Sequence, residues 1–293
     1  MGASYLFTAV SARVRRIDVG KDHDMALDTF QLAKGAAATY EQQKVKAIFR
    51  PLAEATLNAV DNSEDDVVLD VACGTGIVGR VFRERIAPKA VITGVDLHEG
   101  MIETARTVTS DHADAFRWHT GDVTDMPFAD GSFTVAMCQQ GLQFFPDEDA
   151  ALKKMRRVLQ PGGRVIVTLW AEPPRFFAAM ADAIARHVSA EDATRSLAPF
   201  TYAGMTTLPE RLRSCGFAEV RLCDLTVDRV IHDPTANIPL EIIGNPVGPA
   251  VTAHGGKVMA SIVSEVLAGC SDLLHGPDLI SPQTARCFTA VAV

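Results

Sequence analysis

The sequence predicts an α/β protein with a doubly wound, mostly parallel sheet, and three observations carry that prediction. Short apolar runs at 67–71, 91–95, 116–119, 134–138 and 164–170 read as buried strands, and helical patterns separate most of them. Acids stand at or just past the ends of the first three runs, at Asp70, Asp96 and Asp122. The first run feeds a glycine turn, VVLDVACGTGIVGR, of the kind that places a ligand outside a strand's carboxyl end.

Taken in order, residues 1–35 show no clean period, and 36–60 read as a helix bent at Pro51, with Val45, Ile48, Phe49 and Leu52 on its apolar side. Residues 1–60 are therefore read as an N-terminal arm and helical lid, and 61–293 as the core. Strand one leads into a helix over 77–86, closed by Pro88. The second strand ends at Asp96, and a helix over 100–108 turns Met101, Ile102 and Ala105 inward. The third strand is followed by the turn-rich DMPFADGSF and the fourth strand. A helix over 148–159 then stops at Pro161-Gly162-Gly163 before the fifth strand. Beyond it the rhythm changes. A helix carries Phe176, Phe177 and Met180, another spans 208–215, and a long strand spans 219–230. A Gly/Pro-interrupted, partly helical stretch over 237–280 precedes an apolar end that returns as an edge strand. The segments 172–207 and 231–283 are assigned to the substrate side.

Composition narrows the function classes. Of 293 residues 47% are hydrophobic, enough for a sizeable core, and the net charge of -8 argues against a nucleic-acid partner. Six scattered cysteines form no CxxC or Cys/His quartet, which fits a reducing cytoplasm and no structural metal site. No apolar run is long enough for a membrane span. The N-terminal arm and the 237–280 stretch are candidate contacts for a homo-oligomer.

The acids decide between cofactors. Gly74, Gly76 and Gly79 spell G-x-G-x-x-G, the dinucleotide spacing, but no lysine follows as a nucleoside-triphosphate loop requires. Asp70 either accepts from an ammonium group on a ligand or pins the turn. Asp96 can take two ribose hydroxyls in any adenosine ligand. Asp122, beside Val123, can read an adenine amino group. A pyrophosphate prefers a helix N-terminus free of surplus carboxylates, so the three acids weigh against NAD. They suit a ligand with hydroxyls and a positive amino group, such as S-adenosylmethionine, and Gly79 then reads as a small residue for close helix packing.

Together VLDVACGTG, GVDLHEGMIETAR, GDVTDMPFADGSF, CQQGLQFFPD and KMRRVLQPGGRV resemble the class I S-adenosylmethionine-dependent methyltransferases. The likeness is to the small-molecule branch that includes the quinone-biosynthesis C-methyltransferases and natural-product methyltransferases. It implies a seven-stranded Rossmann-like methyltransferase fold with an antiparallel last strand, and S-adenosyl-L-methionine as cofactor, with S-adenosyl-L-homocysteine as product. By the family pattern Asp70, Ala72, Gly74 and Gly76 hold the methionyl part, with Ala72 standing where a glycine is usual. Asp96 takes the ribose, Leu97 and Met101 flank adenine, and Asp122 with Val123 reads its edge. Gln139 contacts the cofactor through its backbone, and Tyr40 closes over the methionine end.

On the acceptor side, many relatives carry histidine where this chain has Gln143, and glutamine cannot act as a general base. Glu172, just past strand five, is the candidate base or charge stabiliser, with Gln143 as the other catalytic candidate. Gln140, Phe144, Phe145, Trp170, Phe176, Phe177 and Tyr202 are the candidate pocket. The expected reaction is methylation of carbon or oxygen on an apolar aromatic or isoprenoid small molecule in secondary metabolism, without a metal. An NAD-dependent oxidoreductase and a non-catalytic cofactor-binding interaction protein are the rival readings.

Overall fold

A computed structural model describes residues 36–293; the arm expected over 1–35 lies outside the described residues. The chain opens with a continuous helical rod. It begins as α1 (Ala36–Tyr40), widens into π-helical turns over Glu41–Phe49, and continues as α2 (Arg50–Ala59). Pro51 has no N–H for the turn before it, and the Arg50 amide reaches back to the Val45 carbonyl. The expected bend at Pro51 is thus absorbed by a widened helix.

The core alternates β1 (Val68–Val71), α3 (Ile77–Arg85), β2 (Ile92–Asp96), α4 (Glu99–Val108), β3 (Phe116–Thr120), β4 (Phe133–Gln139), α5 (Glu148–Val158) and β5 (Leu159–Trp170). Then follow α6 (Arg175–His187), α7 (Ala190–Ser196), α8 (Leu208–Ser214) and β6 (Phe217–His232). Helices α9 (Pro234–Ile243), α10 (Gly248–Ala253) and α11 (Gly255–Gly269), a two-residue β7 (Leu274–His275) and β8 (Asp278–Ala292) complete the chain. The sheet order is β3-β2-β1-β4-β5-β8-β6, with β7 pairing on β8. Strands β1 to β5 are parallel, and β8 runs antiparallel between β5 and β6. This is the doubly wound architecture the sequence predicts, with one short extra strand.

Two boundaries move. The Pro161-Gly162-Gly163 turn forms an irregular start to β5, where Leu159 pairs with Phe133 and Arg164 with Val135. The last strand is an inner strand and begins at Asp278, within the stretch expected as an insertion. Its early part was hidden by Pro282, which is tolerated because β8 has no β5 partner beyond Ala285. One apolar core lies under α2, α3, α6 and α9 to α11, and another under α5 and α8. The β6–β8 ladder overruns the end of β5 and meets the π-helical rod, forming a wall beyond the strand ends where the loops gather.

Candidate active site

The glycine turn after β1 is held from both sides by carboxylates. Asp70 Oδ2 accepts from the Gly79 amide at 3.0 Å, which pins the first turn of α3. Asp96, at the tip of β2, accepts from Gly74 N at 2.8 Å through Oδ2 and from His98 N at 2.9 Å through Oδ1. Burial raises both acids above the usual carboxylate range, against the pull of those amides, and takes Asp70 to about 7. Gly79 has its own reason to be small, since a Cβ there would stand 2.4 Å from Ile92 Cγ2 on β2.

The loop backbone is left-handed at Ala72, Gly74 and Gly76, with φ of 51°, 55° and 79°. Ala72 adopts a conformation that costs an alanine about 1 kcal/mol and glycine almost nothing. Its methyl is accommodated by Gly141, where a Cβ would lie 2.6 Å away. Gly76 lies on the indole of Trp118, and a Cβ there would come within 2.3 Å of the ring.

Tyr40 covers this turn from the lid, its hydroxyl 4.0 Å from where a Gly74 Cβ would stand. Burial, with Asp96, Glu41 and Asp70 nearby, raises its phenol far above the ordinary range, so it stays protonated. The lid is fastened to the core: Arg80 on α3 grips both Glu41 oxygens at 2.9 Å, and Gln139 Nε2 donates to the Phe49 carbonyl at 3.1 Å. Gln139, expected to act through its backbone, therefore also bolts the lid to β4.

Leu97 stands 54% exposed beside Asp96, and Met101 is buried in α4 behind it. Val123 is buried and Asp122 exposed, its Oδ1 accepting from Thr124 N at 2.7 Å. Past β4, Gln140 is left-handed, and its Oε1 accepts from Trp170 N at 2.9 Å and from Gln143 Nε2 at 3.4 Å. The Gln140 oxygen is thus committed to the loop. Its Nε2, Gln143 Oε1, Gln139 Oε1 and Thr75 Oγ1 are buried without a partner, as expected beside a polar ligand.

The expected pocket residues separate into groups. Trp170 lies between Phe49 and Phe200, each 6.3 Å away, and Phe200 meets Phe177 at 4.8 Å. With Tyr40 and Phe49 at 5.2 Å they form one aromatic file leading from the glycine turn. Phe176 is wholly buried and packs edge-on against Phe177, and it shares one apolar core with Phe177, Trp170 and Phe200. Phe145 packs with the core under α5, and Phe144 is half-buried in the same loop. Tyr202 donates to Glu148 and accepts from Arg211, so its hydroxyl is held by an ionic group. Tyr202 and the exposed Glu172 line a cleft of about 320 Å³ with Phe200, Met205 and Arg286.

Sequence reasoning missed Phe49 and Phe200 as members of the aromatic file, and Arg229 altogether. Arg229 was legible in principle, because Leu225, Val227, Arg229 and Ile231 alternate onto one buried face of β6. Among the described residues no cluster of three His, Cys, Asp or Glu is arranged to hold a metal ion, and no helix is long and apolar enough to cross a membrane.

The donor set tests the cofactor. A pyrophosphate would need the amides at the start of α3, and Asp70 already occupies the one at Gly79. A ligand with hydroxyls and an ammonium group fits, because each carboxylate oxygen keeps a further lone pair beyond its amide bond. The comparisons agree. A methyltransferase domain model matches residues 68–163. The chain is 32% identical to nocamycin O-methyltransferase of Saccharothrix syringae over 215 residues, 68% of this chain and 75% of that one. It is 37% identical to a demethylmenaquinone methyltransferase of Staphylococcus aureus over 105 residues, 36% of this chain and 43% of the relative, so under half of that relative is matched. Phosphoethanolamine N-methyltransferase 2 of Haemonchus contortus, solved with S-adenosyl-L-methionine, shares the fold at a TM-score of 0.59 and 17% identity, covering 92% of this chain and 60% of that one.

Proposed function

Because the chain belongs to the class I S-adenosylmethionine-dependent methyltransferases, with S-adenosyl-L-methionine as cofactor, we propose that it methylates carbon or oxygen of an apolar aromatic or isoprenoid small molecule in secondary metabolism. The observation that carries this reading is the aromatic file from Tyr40 through Phe49, Trp170 and Phe200 to Phe177. Under this proposal an apolar acceptor packs against the edge of the file, where Phe200 lines the cleft.

In this reading Asp96 holds the ribose, Leu97 and Met101 flank adenine, Asp122 and Val123 read its edge, and Asp70, Ala72, Gly74 and Gly76 line the methionyl end. The bound cofactor supplies a methyl group on a sulfonium, ready for in-line transfer. Tyr40 and Phe49 exclude water from above, and Trp170 and Phe200 orient the acceptor. Gln143 orients without taking a proton. Glu172, exposed on the cleft, serves in this reading as the base. The nocamycin relative is named as an O-methyltransferase and matches most of the chain, which favours oxygen as the acceptor atom. The shorter demethylmenaquinone match supports a quinone-type acceptor as the second reading.

The test is turnover with methyl-labelled cofactor across phenols, quinols, aromatic acids and isoprenoid alcohols, with the labelled atom located by mass spectrometry and NMR. Label on an apolar acceptor is expected. Label only on hydrophilic amines or on macromolecules would overturn the reading.

A further inference from the structure

Beyond the aromatic file the inner wall gathers two basic side chains, Arg229 and Lys44, on the single carboxylate of Glu241, and burial pulls both of them below their ordinary pKa. Arg229 on β6 is 4% exposed, yet its guanidinium lies over the Phe177 ring, 5.1 Å from the centroid. It donates Nε to Gln283 Oε1 at 3.1 Å and Nη1 to Glu241 Oε2 at 3.2 Å. Lys44, from the π-helical part of the lid, donates to the same Glu241 oxygen. Two cations therefore share one carboxylate. Tyr40 stays protonated and so adds no counter-charge.

Hydrogen-bond accounting points the same way. Beyond these bonds the Arg229 guanidinium and the Lys44 amine each have further N–H donors. Gln283 is 1% exposed; its oxygen is taken by Arg229, and its Nε2, on the same amide, is buried without a partner. Ser281, paired across the ladder with Arg229 and also 1% exposed, has an unpartnered Oγ. Buried polar groups are rarely left unpaired, and here the surplus is mainly of donors. A ligand that brings negative oxygens would satisfy it.

Position assigns the ligand to the acceptor. Trp170, the last residue of β5, pairs with Ala285, and Arg229 pairs with Ser281 four residues further along β8. The Arg229 backbone is thus roughly 13 Å past the end of β5, and its guanidinium lies over Phe177, the last ring of the aromatic file. Building on the methyltransferase reading above, we propose that Arg229, Lys44, Gln283 and Ser281 form an anion-recognition subsite, and that the acceptor is an apolar molecule with an acidic head group. The head group is a carboxylate or a phosphate, which share this oxygen chemistry. In its absence Glu241 holds the two cations together.

The test is calorimetry on the full chain saturated with S-adenosylhomocysteine, titrated with naphthalene-2-carboxylate, naphthalene-2-carboxamide and 2-naphthyl phosphate. Wild type is expected to prefer an anion over the amide by about ten- to a hundredfold, the order for a charge-assisted contact, and the stronger anion identifies the head group. Arg229→Gln is expected to bring anion and amide within about threefold of each other, with S-adenosylhomocysteine affinity retained. Lys44→Met keeps the Arg229–Glu241 pair and is expected to remove part of the preference, so the proposal stays testable if Arg229→Gln does not fold. Equal binding of anion and amide to wild type, or full preference retained in both variants, would overturn the proposal. So would loss of S-adenosylhomocysteine binding in folded Arg229→Gln, which would assign the cations to the cofactor's own carboxylate. Failure of wild type to bind S-adenosylhomocysteine would overturn the underlying methyltransferase reading instead.

Discussion

Asp70→Asn tests the electrostatics on which the cofactor assignment rests. Burial moves this carboxyl from its ordinary 3.8 to about 7, with the Gly79 amide opposing and Asp96 adding to the rise. Such a displacement penalises the ionised fold by about 4 kcal/mol. The sign follows from where each state ionises. Below 3.8 both the fold and the unfolded chain keep the proton, and there is no penalty. Between 3.8 and 7 the unfolded chain loses it first, so unfolding free energy falls as pH climbs; above 7 the penalty is full. Asparagine keeps an acceptor for the Gly79 amide and has no charge. The variant's stability relative to wild type is therefore expected to rise by about 2–3 kcal/mol between pH 5 and 8 in urea unfolding. A cofactor ammonium group beside Asp70 would draw the carboxyl back down. Binding of S-adenosylhomocysteine at pH 7 is then expected to release about half a proton from Asp70, read as a dependence of calorimetric enthalpy on buffer ionisation that Asp70→Asn removes. A stability difference flat across pH, or identical buffer dependence in both proteins, would refute the reasoning.

Other perturbations probe the scaffold of the same loop. Asp96→Ala is expected to weaken S-adenosylmethionine binding by about 1–3 kcal/mol, since charged hydrogen bonds are lost; an unchanged dissociation constant by calorimetry would contradict the ribose assignment. Gly94→Ala would place a methyl 2.3 Å from the Trp118 ring, which its bond to Thr109 Oγ1 at 3.0 Å and its stack on Phe116 hold in place. We expect a loss of about 1–3 kcal/mol in urea unfolding, with Trp118→Phe less than additive; full additivity would show that the indole is not the obstacle. Ala72→Gly relieves the left-handed alanine at the cost of a floppier unfolded chain. It is expected to leave stability unchanged or raise it by about 1 kcal/mol, and a clear drop in melting temperature would show that the methyl against Gly141 matters more than the strain.

Much of the fold was legible because its signals are local. The five parallel strands are short apolar runs closed by acids or glycines, and α3, α4 and α5 have clean periods. The long last strand was legible only in its apolar end, because Ser281, Pro282, Gln283 and Thr284 look like a loop until β6 is laid against them. Within the site, the acids and glycines at the strand ends could be read from spacing. The aromatic file could not, since Phe49, Trp170, Phe200 and Phe177 come from a lid, a strand end, a turn and a helix whose meeting is a tertiary fact. The same limit explains Phe176. Adjacent phenylalanines on α6 are both buried in one core, and only packing decides that it is Phe177 that meets Phe200 and Arg229.

One consequence joins the two ends of the site. Asp70 and Asp96 hold a glycine turn shaped for a cationic, hydroxyl-bearing ligand, while Arg229 and Lys44 stand at the other end of a hydrophobic file with one carboxylate between them. Glu41 fastens the lid to Arg80 beside the turn, and three residues later Lys44 fastens it to Glu241 at the cationic end. The lid therefore touches both ends through ion pairs on a single short stretch of helix. An anion arriving at Arg229 competes with Glu241 for Lys44, and so acts on the same helix that carries Tyr40 over the turn. Arrival of an acidic acceptor and closure over the cofactor would then be coupled through that helix. Removing Lys44 should uncouple them, leaving S-adenosylhomocysteine affinity the same whether or not naphthalene-2-carboxylate is bound, whereas wild type should bind each more tightly in the presence of the other. Identical coupling in wild type and Lys44→Met would show that the helix does not connect the two ends.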